Sequence, residues 1–304
     1  MSSPTPIQSF IGGIGLSLPV HALLLLNGDV FGISGFVHRT VLGRKEPAFA
    51  VLGLILGGAY IGLIEGHGPS PFQHSFGRVA LSGLLVGLGS KLSNGCTSGH
   101  MICGLSRFSL RSLVATLTFF ATGVITSQLL PSELPSADIM DWSLGPNGRV
   151  LLATQVVVSA LLGSLVTTSR LSANDASALQ KPHPISRLLV YLATGFEFAL
   201  ALRSSFDPSL AFLAAGALPT SIILYQFFRG SERPLLGGRW SIPKGGLIDM
   251  KLIWGAAVFG AGWGLAGICP GPGLVNLGRA ITGGSGVLSV AIWLSGVIIG
   301  GLFA

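Results

Sequence analysis

Nine stretches of mostly apolar residues, each near the length of a membrane-crossing helix, follow one another down this chain. They lie at about 7–27, 47–65, 76–94, 110–130, 149–169, 186–202, 209–228, 250–267 and 283–303. An α-helix needs ~20 such residues to cross a hydrocarbon core. Repetition at this density leaves little chain for anything outside a bilayer. Charged residues make up 10% of the 304, against about 25% in a soluble domain. A larger core cannot explain the deficit, because a water-facing surface would still need covering. The expectation is an all-α polytopic protein, a single transmembrane domain over 1–304 with lipid as its main surroundings.

The net charge of +7 could suggest nucleic acid, but the 18 basic residues form no patch, so no nucleic-acid partner is expected. Their distribution follows the spans instead. The ends and connections after spans 1, 3, 5 and 7 hold fourteen of them, and those after spans 2, 4, 6 and 8 hold only Arg78, Arg149, Arg203 and Arg279. Lys and Arg collect on the cytoplasmic side of a membrane. The alternation predicts an external N-terminus and a cytoplasmic C-terminus. Arg39, the first basic residue, follows the first apolar run, so that run reads as retained, not as a cleaved signal.

Glycine is unusually frequent, at 45 of 304, and sits inside the apolar runs. In lipid, small residues let helix backbones approach closely. Four intervals, 27–36, 95–108, 203–209 and 268–281, are too apolar for ordinary loops and too short to cross. They read as broken helix ends or re-entrant segments. Residues 87–96 can be laid over 260–269, matching Gly87 with Gly260, Gly89 with Gly262, Leu92 with Leu265 and Cys96 with Cys269. A weaker match, with gaps, sets 23–35 against 200–216, each containing an acidic residue, Asp29 and Asp207. Four spans, one connecting span and four more would turn the second half upside down. The expected organisation is a first repeat over 1–130, a connection over 131–185 and an inverted repeat over 186–304, a recurring transporter design with the site near the midplane.

Three cysteines, Cys96, Cys103 and Cys269, are too few and too embedded for a disulfide framework and read as free thiols. The run Gly95, Cys96, Thr97, Ser98, Gly99, His100, Met101, Ile102, Cys103, Gly104, Leu105, Ser106, Arg107 closely resembles the signature of the YeeE/YedE sulphur-transport family. Leu26-Asn27-Gly28, Gly32-Ile33-Ser34-Gly35 and Cys269-Pro270-Gly271-Pro272-Gly273 add to the resemblance, which covers nearly the whole chain. Residues 203–208 depart from it, with Arg203 and Ser204 standing where a small Gly-containing turn is expected before Asp207. The resemblance implies an hourglass of two pseudo-symmetric halves with short inward-dipping helices. It also implies that cysteines relay thiosulfate across the narrow point.

The residue types suit that chemistry. Thiosulfate is a dianion with a soft terminal sulfur, and crossing lipid requires replacing its hydration. Helix N-termini hold anions through free N–H groups and a partial positive charge. Thr97 and Ser98 are good N-caps after Cys96, and Pro270 or Pro272 suits a first helical turn after Cys269. Gly99, Gly271 and Gly273 would let backbone N–H groups reach the ion. A neutral thiol is a soft, weak donor, whereas a thiolate would repel a dianion. His100 can cap a neighbouring helix or touch substrate, and Arg107 can balance the anion or anchor at the interface. Asp29, Glu197 and Asp207 lie in or near spans, where they would fix broken helices or carry protons. The run 229–251 reads as a cytoplasmic loop. No cofactor motif is present, and a transporter is favoured over an enzyme. Two other functions fit some of these residues: a membrane sulfurtransferase using a Cys96 persulfide, and a neutral-solute channel built from re-entrant half helices. A cytoplasmic sulfurtransferase could receive the substrate.

Overall fold

Each of the nine apolar stretches forms a helix. The computed structural model describes residues 6–69, 72, 74–129, 142–175, 184–202, 209–228, 233–242 and 246–304. Among them every regular element is helical: α1 Pro6–Asn27, α2 Ile33–Val41, α3 Lys45–Glu65, α4 Phe76–Leu92, a π-helical segment Ser98–Gly104, α5 Leu110–Leu129, α6 Gly145–Asp175, α7 Pro184–Leu202, α8 Ser209–Phe228, α9 Met250–Ala266, α10 Pro270–Gly283 and α11 Val287–Leu302. Seven stretches among the described residues are long and apolar enough to cross a membrane. One of these, Met250–Gly283, runs through both α9 and α10 and is broken between them at Gly267. At 17 and 16 residues, α4 and α11 fall just short of that length. The protein is a polytopic helical membrane protein.

Of the four odd intervals, three hold chain breaks and short helical segments: the break after α1 followed by α2, the π-helical segment, and α10. The interval 203–209 lies almost wholly outside the described residues, and Asp207 with it.

The end of α1 shows how such a break is tolerated. A helix leaves its last four carbonyls without partners, which in lipid costs several kcal/mol for each group left unmet. Here all four are met. Leu24 O accepts from Gly28 N, Leu25 O from Leu235 N, Leu26 O from Leu236 N, and Asn27 O from the Arg187 guanidinium. Gly28 takes a left-handed φ of 79°, which turns the chain off the helix axis. The 229–251 run is therefore more than a loop: one described part of it, 233–242, straps the end of α1.

Glycines set the packing. The large interfaces pair α1 with α7 and α8, α3 with α7 and α10, α4 with α9 and α11, and α5 with α9. A Cβ at Gly83 or Gly87 would overlap α11 at Trp293 or Val297, and one at Gly58 would overlap α10 at Val275. Helices α4 and α9 cross antiparallel, Gly89 meeting Gly255 and Phe259 while Gly262 meets Ser82 and Val86. Trp293, Phe31, Phe36, Phe119, Phe198 and Phe259 are fully buried between the helices. Apolar side chains on the outer faces, such as Leu63, Leu117, Leu161 and Ile223, stay exposed, as lipid contact requires.

Candidate functional site

Three of the chain breaks, those before α2, before the π-helical segment and before α10, meet near one place, and the three cysteines lie there. Cys96 enters the π-helical segment after Asn94, whose φ of 57° turns the chain back from α4. π-Helical turns are uncommon and concentrate at functional sites. Cys96 and Cys103 are buried, Cys269 is half-buried, and all three are free thiols. Cys96 Sγ lies 3.3 Å from Ser98 Oγ. Cys269, from the other half of the chain, lies beside both the Thr97 side chain and Cys96. Cys103 interacts with Cys96 in the same way, and its thiol donates to Phe31 O at 3.6 Å.

Thr97 and Ser98 do not act as the expected N-caps of their own segment. Thr97 has helical dihedrals and makes no capping bond. Its side chain lies across the cluster beside Cys269. Ser98 Oγ instead accepts from Ile33 N at 3.3 Å, capping the first residue of α2. Each hydroxyl thus ties the π-helical segment to another break. On the other side, Cys269 is the extended residue before α10, and Pro270 opens that helix.

The glycines divide in two. Gly271 packs against Ile33 Cδ1, where a Cβ would lie at 2.8 Å, and Gly273 against the Trp293 ring at 2.6 Å. Both serve close packing of α10. A Cβ at Gly99 would meet nothing within 4 Å, so its backbone borders open space. Stacked rings of Phe31 and Phe198, 4.5 Å apart, wall the cluster on the α1 and α7 side.

His100 is taken up by the framework. Its Nε2 is 3.2 Å from Ser93 O and its Nδ1 3.2 Å from Ser112 Oγ, so both nitrogens are engaged, linking the end of α4 to α5. Asp29 is likewise committed, accepting from Tyr191 OH and lying 3.9 Å from Arg187. Arg187 also binds Glu46 at 2.7 Å, so this network fixes the α1 break. Glu197 is fully buried away from the cysteines. Ser159 donates to one of its oxygens, and Oε2 has no partner. Arg107 borders a small cleft together with Cys103, His21, Ser17, Ser221 and Tyr225. Sequence reasoning missed the last four because α1 and α8 come together only in the fold. A histidine within an apolar span was the one signal available. Among the described residues no three His, Cys, Asp or Glu side chains are grouped to hold a metal.

Comparison with known proteins agrees with this picture. Residues 7–126 match a family described as sulphur transport, and residues 192–304 match a family of unknown function. A protein of Xylella fastidiosa strain 9a5c named as a probable transporter is 42% identical over 123 residues, covering 40% of this chain and 91% of its own length. A second, from strain Temecula1 and named likewise, is 38% identical over 131 residues, covering 37% and 87%. No solved structure matches. With the signature block around Cys96 and relatives covered almost end to end, the chain belongs to the sulphur-transport family of the YeeE/YedE proteins.

Proposed function

We propose that the protein carries thiosulfate, or a closely related small sulfur anion, across the membrane by way of the cysteine cluster. The observation that carries this reading is the meeting of Cys96 and Cys269, from opposite halves of the chain, around the Thr97 hydroxyl. A dianion leaving water needs donors in place of its hydration shell. Neutral thiols at Cys96, Cys103 and Cys269, the Thr97 and Ser98 hydroxyls, and the backbone at Gly99, which borders open space, offer these. None holds tightly, which suits passage over trapping.

The same reading takes the chain as two inverted halves of nine crossings in all, with the π-helical segment and α10 as re-entrant pieces. What supports it is the exchange of packing partners. The contact of α3 with α7 has its counterpart in α8 with α1, and α4 with α11 in α9 with α5. The charge bias sets the N-terminus outside and the C-terminus in the cytoplasm. Cys96 then approaches from inside and Cys269 from outside. Glu197 is the remaining candidate proton carrier.

Uptake of radiolabelled thiosulfate into proteoliposomes tests this, with sulfate and glycerol as comparisons and with or without a pH gradient. Cys96→Ser and Cys269→Ser should each lower uptake about tenfold or more, equivalent to raising the crossing barrier by ~1.4 kcal/mol, in protein that still inserts. Normal uptake by both serine variants dismisses the thiol relay. A persulfide adduct on Cys96 by mass spectrometry would favour sulfur transfer instead.

A further inference from the structure

Two arginines occupy matching places in the two halves, and only one of them is neutralised. Arg107 follows Cys96 by eleven residues and Arg279 follows Cys269 by ten, each in or just after the short helix that its cysteine precedes. Arg279 forms an ion pair with Glu65 at the end of α3, with N–O 2.6 Å and side chains 14% and 8% exposed. The counterpart of α3 in the packing pattern is α8, whose sequence contains no acidic residue. At its end stand Tyr225 and Gln226, and Gln226 spends its amide on Ser106 O at 2.9 Å. Among the described residues no carboxylate pairs with Arg107.

The cleft beside Arg107 holds a second polar group without a hydrogen-bond partner. His21 projects into it from α1, and its Nε2 is buried with no partner. Arg170, on α6, lies within electrostatic reach of His21. The acidic residue of the adjoining break, Asp29, is turned to Tyr191 and Arg187. Cys103 puts a thiol on the same wall. A half-buried guanidinium with no carboxylate partner among the described residues, beside a ring nitrogen that has no hydrogen-bond partner, leaves donor capacity that a small oxyanion can take up. A planar fork of N–H donors matches an oxyanion.

We propose that this cleft is a separate binding stage for a small oxyanion, held by Arg107 and His21 and set beside the cysteine cluster on the Cys103 side. That its occupant is the transported sulfur anion rests on the function proposed above; that it takes an oxyanion does not. The matching place in the other half is closed by Glu65, so the stage exists on one side only. An ion passing the cluster then meets a positive charge on the face the charge bias assigns to the cytoplasm.

The test is equilibrium binding of radiolabelled thiosulfate to the full chain in nanodiscs, carrying Cys96→Ser and Cys269→Ser so that the relay itself is disabled. Binding should persist in this background and be displaced by sulfate but not by glycerol. Arg107→Gln should weaken it about tenfold, while Arg107→Lys, which keeps the charge and loses the fork, should fall between. Removing the other pair together, Glu65→Gln with Arg279→Gln, should leave it unchanged. No saturable binding in the background chain, failure of sulfate to compete, or equal affinity with and without Arg107 would overturn the proposal. Arg107-dependent binding together with normal uptake by the serine variants would refute the relay and leave this site standing.

Discussion

Replacing Gly262 by alanine adds one methyl group at the antiparallel crossing of α4 and α9, and the surroundings of that methyl group are fixed. It would lie 2.7 Å from Val86 N, 2.8 Å from Leu85 Cβ and 2.9 Å from Ser82 O. Ordinary contacts fall at about 3.5–4.0 Å, so three neighbours are overlapped by roughly 1 Å. None is the tip of a flexible side chain. Ser82 is held further, since its hydroxyl donates to Gly262 O at 2.7 Å and accepts from Trp293 Nε1 at 3.1 Å. Overpacking typically costs about 1–3 kcal/mol; with three overlaps that no side-chain rotation relieves, and these bonds strained as well, the cost here should lie at the upper end, about 3 kcal/mol. Alanine recovers ~1 kcal/mol of helix propensity, so the net loss should be about 2 kcal/mol. At 2–4 °C for each kcal/mol in a chain of this size class, the melting temperature should fall by roughly 4–8 °C. A thiol-reactive dye can report melting in detergent, because Cys96 and Cys103 are buried until the fold opens. The control is Gly163→Ala on the exposed face of α6, where a Cβ meets nothing within 4 Å. There only the propensity gain remains, and melting should rise slightly. Gly262→Ala melting at or above the native temperature, or Gly163→Ala falling as far, would refute the reasoning.

Two further outcomes follow from the packing. Removing one partner of the buried Glu65–Arg279 pair strands the other charge, so Glu65→Gln or Arg279→Gln alone should cost about 3–5 kcal/mol, and the double variant should melt closer to native; additive losses would mean the pair is not coupled. Cutting the chain between α6 and α7 should give fragments that do not accumulate singly but form a stable complex when co-expressed, and a monodisperse N-terminal fragment on its own would contradict this.

What was legible in the sequence was whatever repeats at the period of a helix or breaks it. The nine helical stretches were readable from apolar length, and the break after α1 from Gly28 and its neighbours. Pro270 following Cys269 marked the start of α10. The roles of Thr97 and Ser98 were not legible, because a hydroxyl beside a helix start caps its own helix by default. Here Ser98 caps Ile33 instead, and Thr97 lies beside Cys269, both partners distant in the chain. The difference between Arg107 and Arg279 was equally hidden. Each looks like an arginine near a glycine after a cysteine, and only the placing of Glu65 against one of them separates the two. His100 could be read either way until Ser93 and Ser112 were found at its two nitrogens.

The two halves match two different families, yet neither is a physical unit by itself. Every large helix interface, α1 with α7 and α8, α3 with α7 and α10, α4 with α9 and α11, and α5 with α9, joins residues of 1–130 to residues of 184–304. Within a half, the contacts are the smaller ones of α2 with α3, α10 with α11, and α5 with the π-helical segment. In lipid no hydrophobic force draws helices together, so association depends on close backbone fit. That fit is supplied by glycines of one half seated on the other: Gly13 on α8, Gly53 on α7, Gly58 on α10 and Gly87 on α11. The cysteine cluster sits on the same seam, which is why Thr97 of one half can reach Cys269 of the other. A change that loosens the seam at any of these glycines therefore acts on the cluster too, even where it touches none of the three thiols.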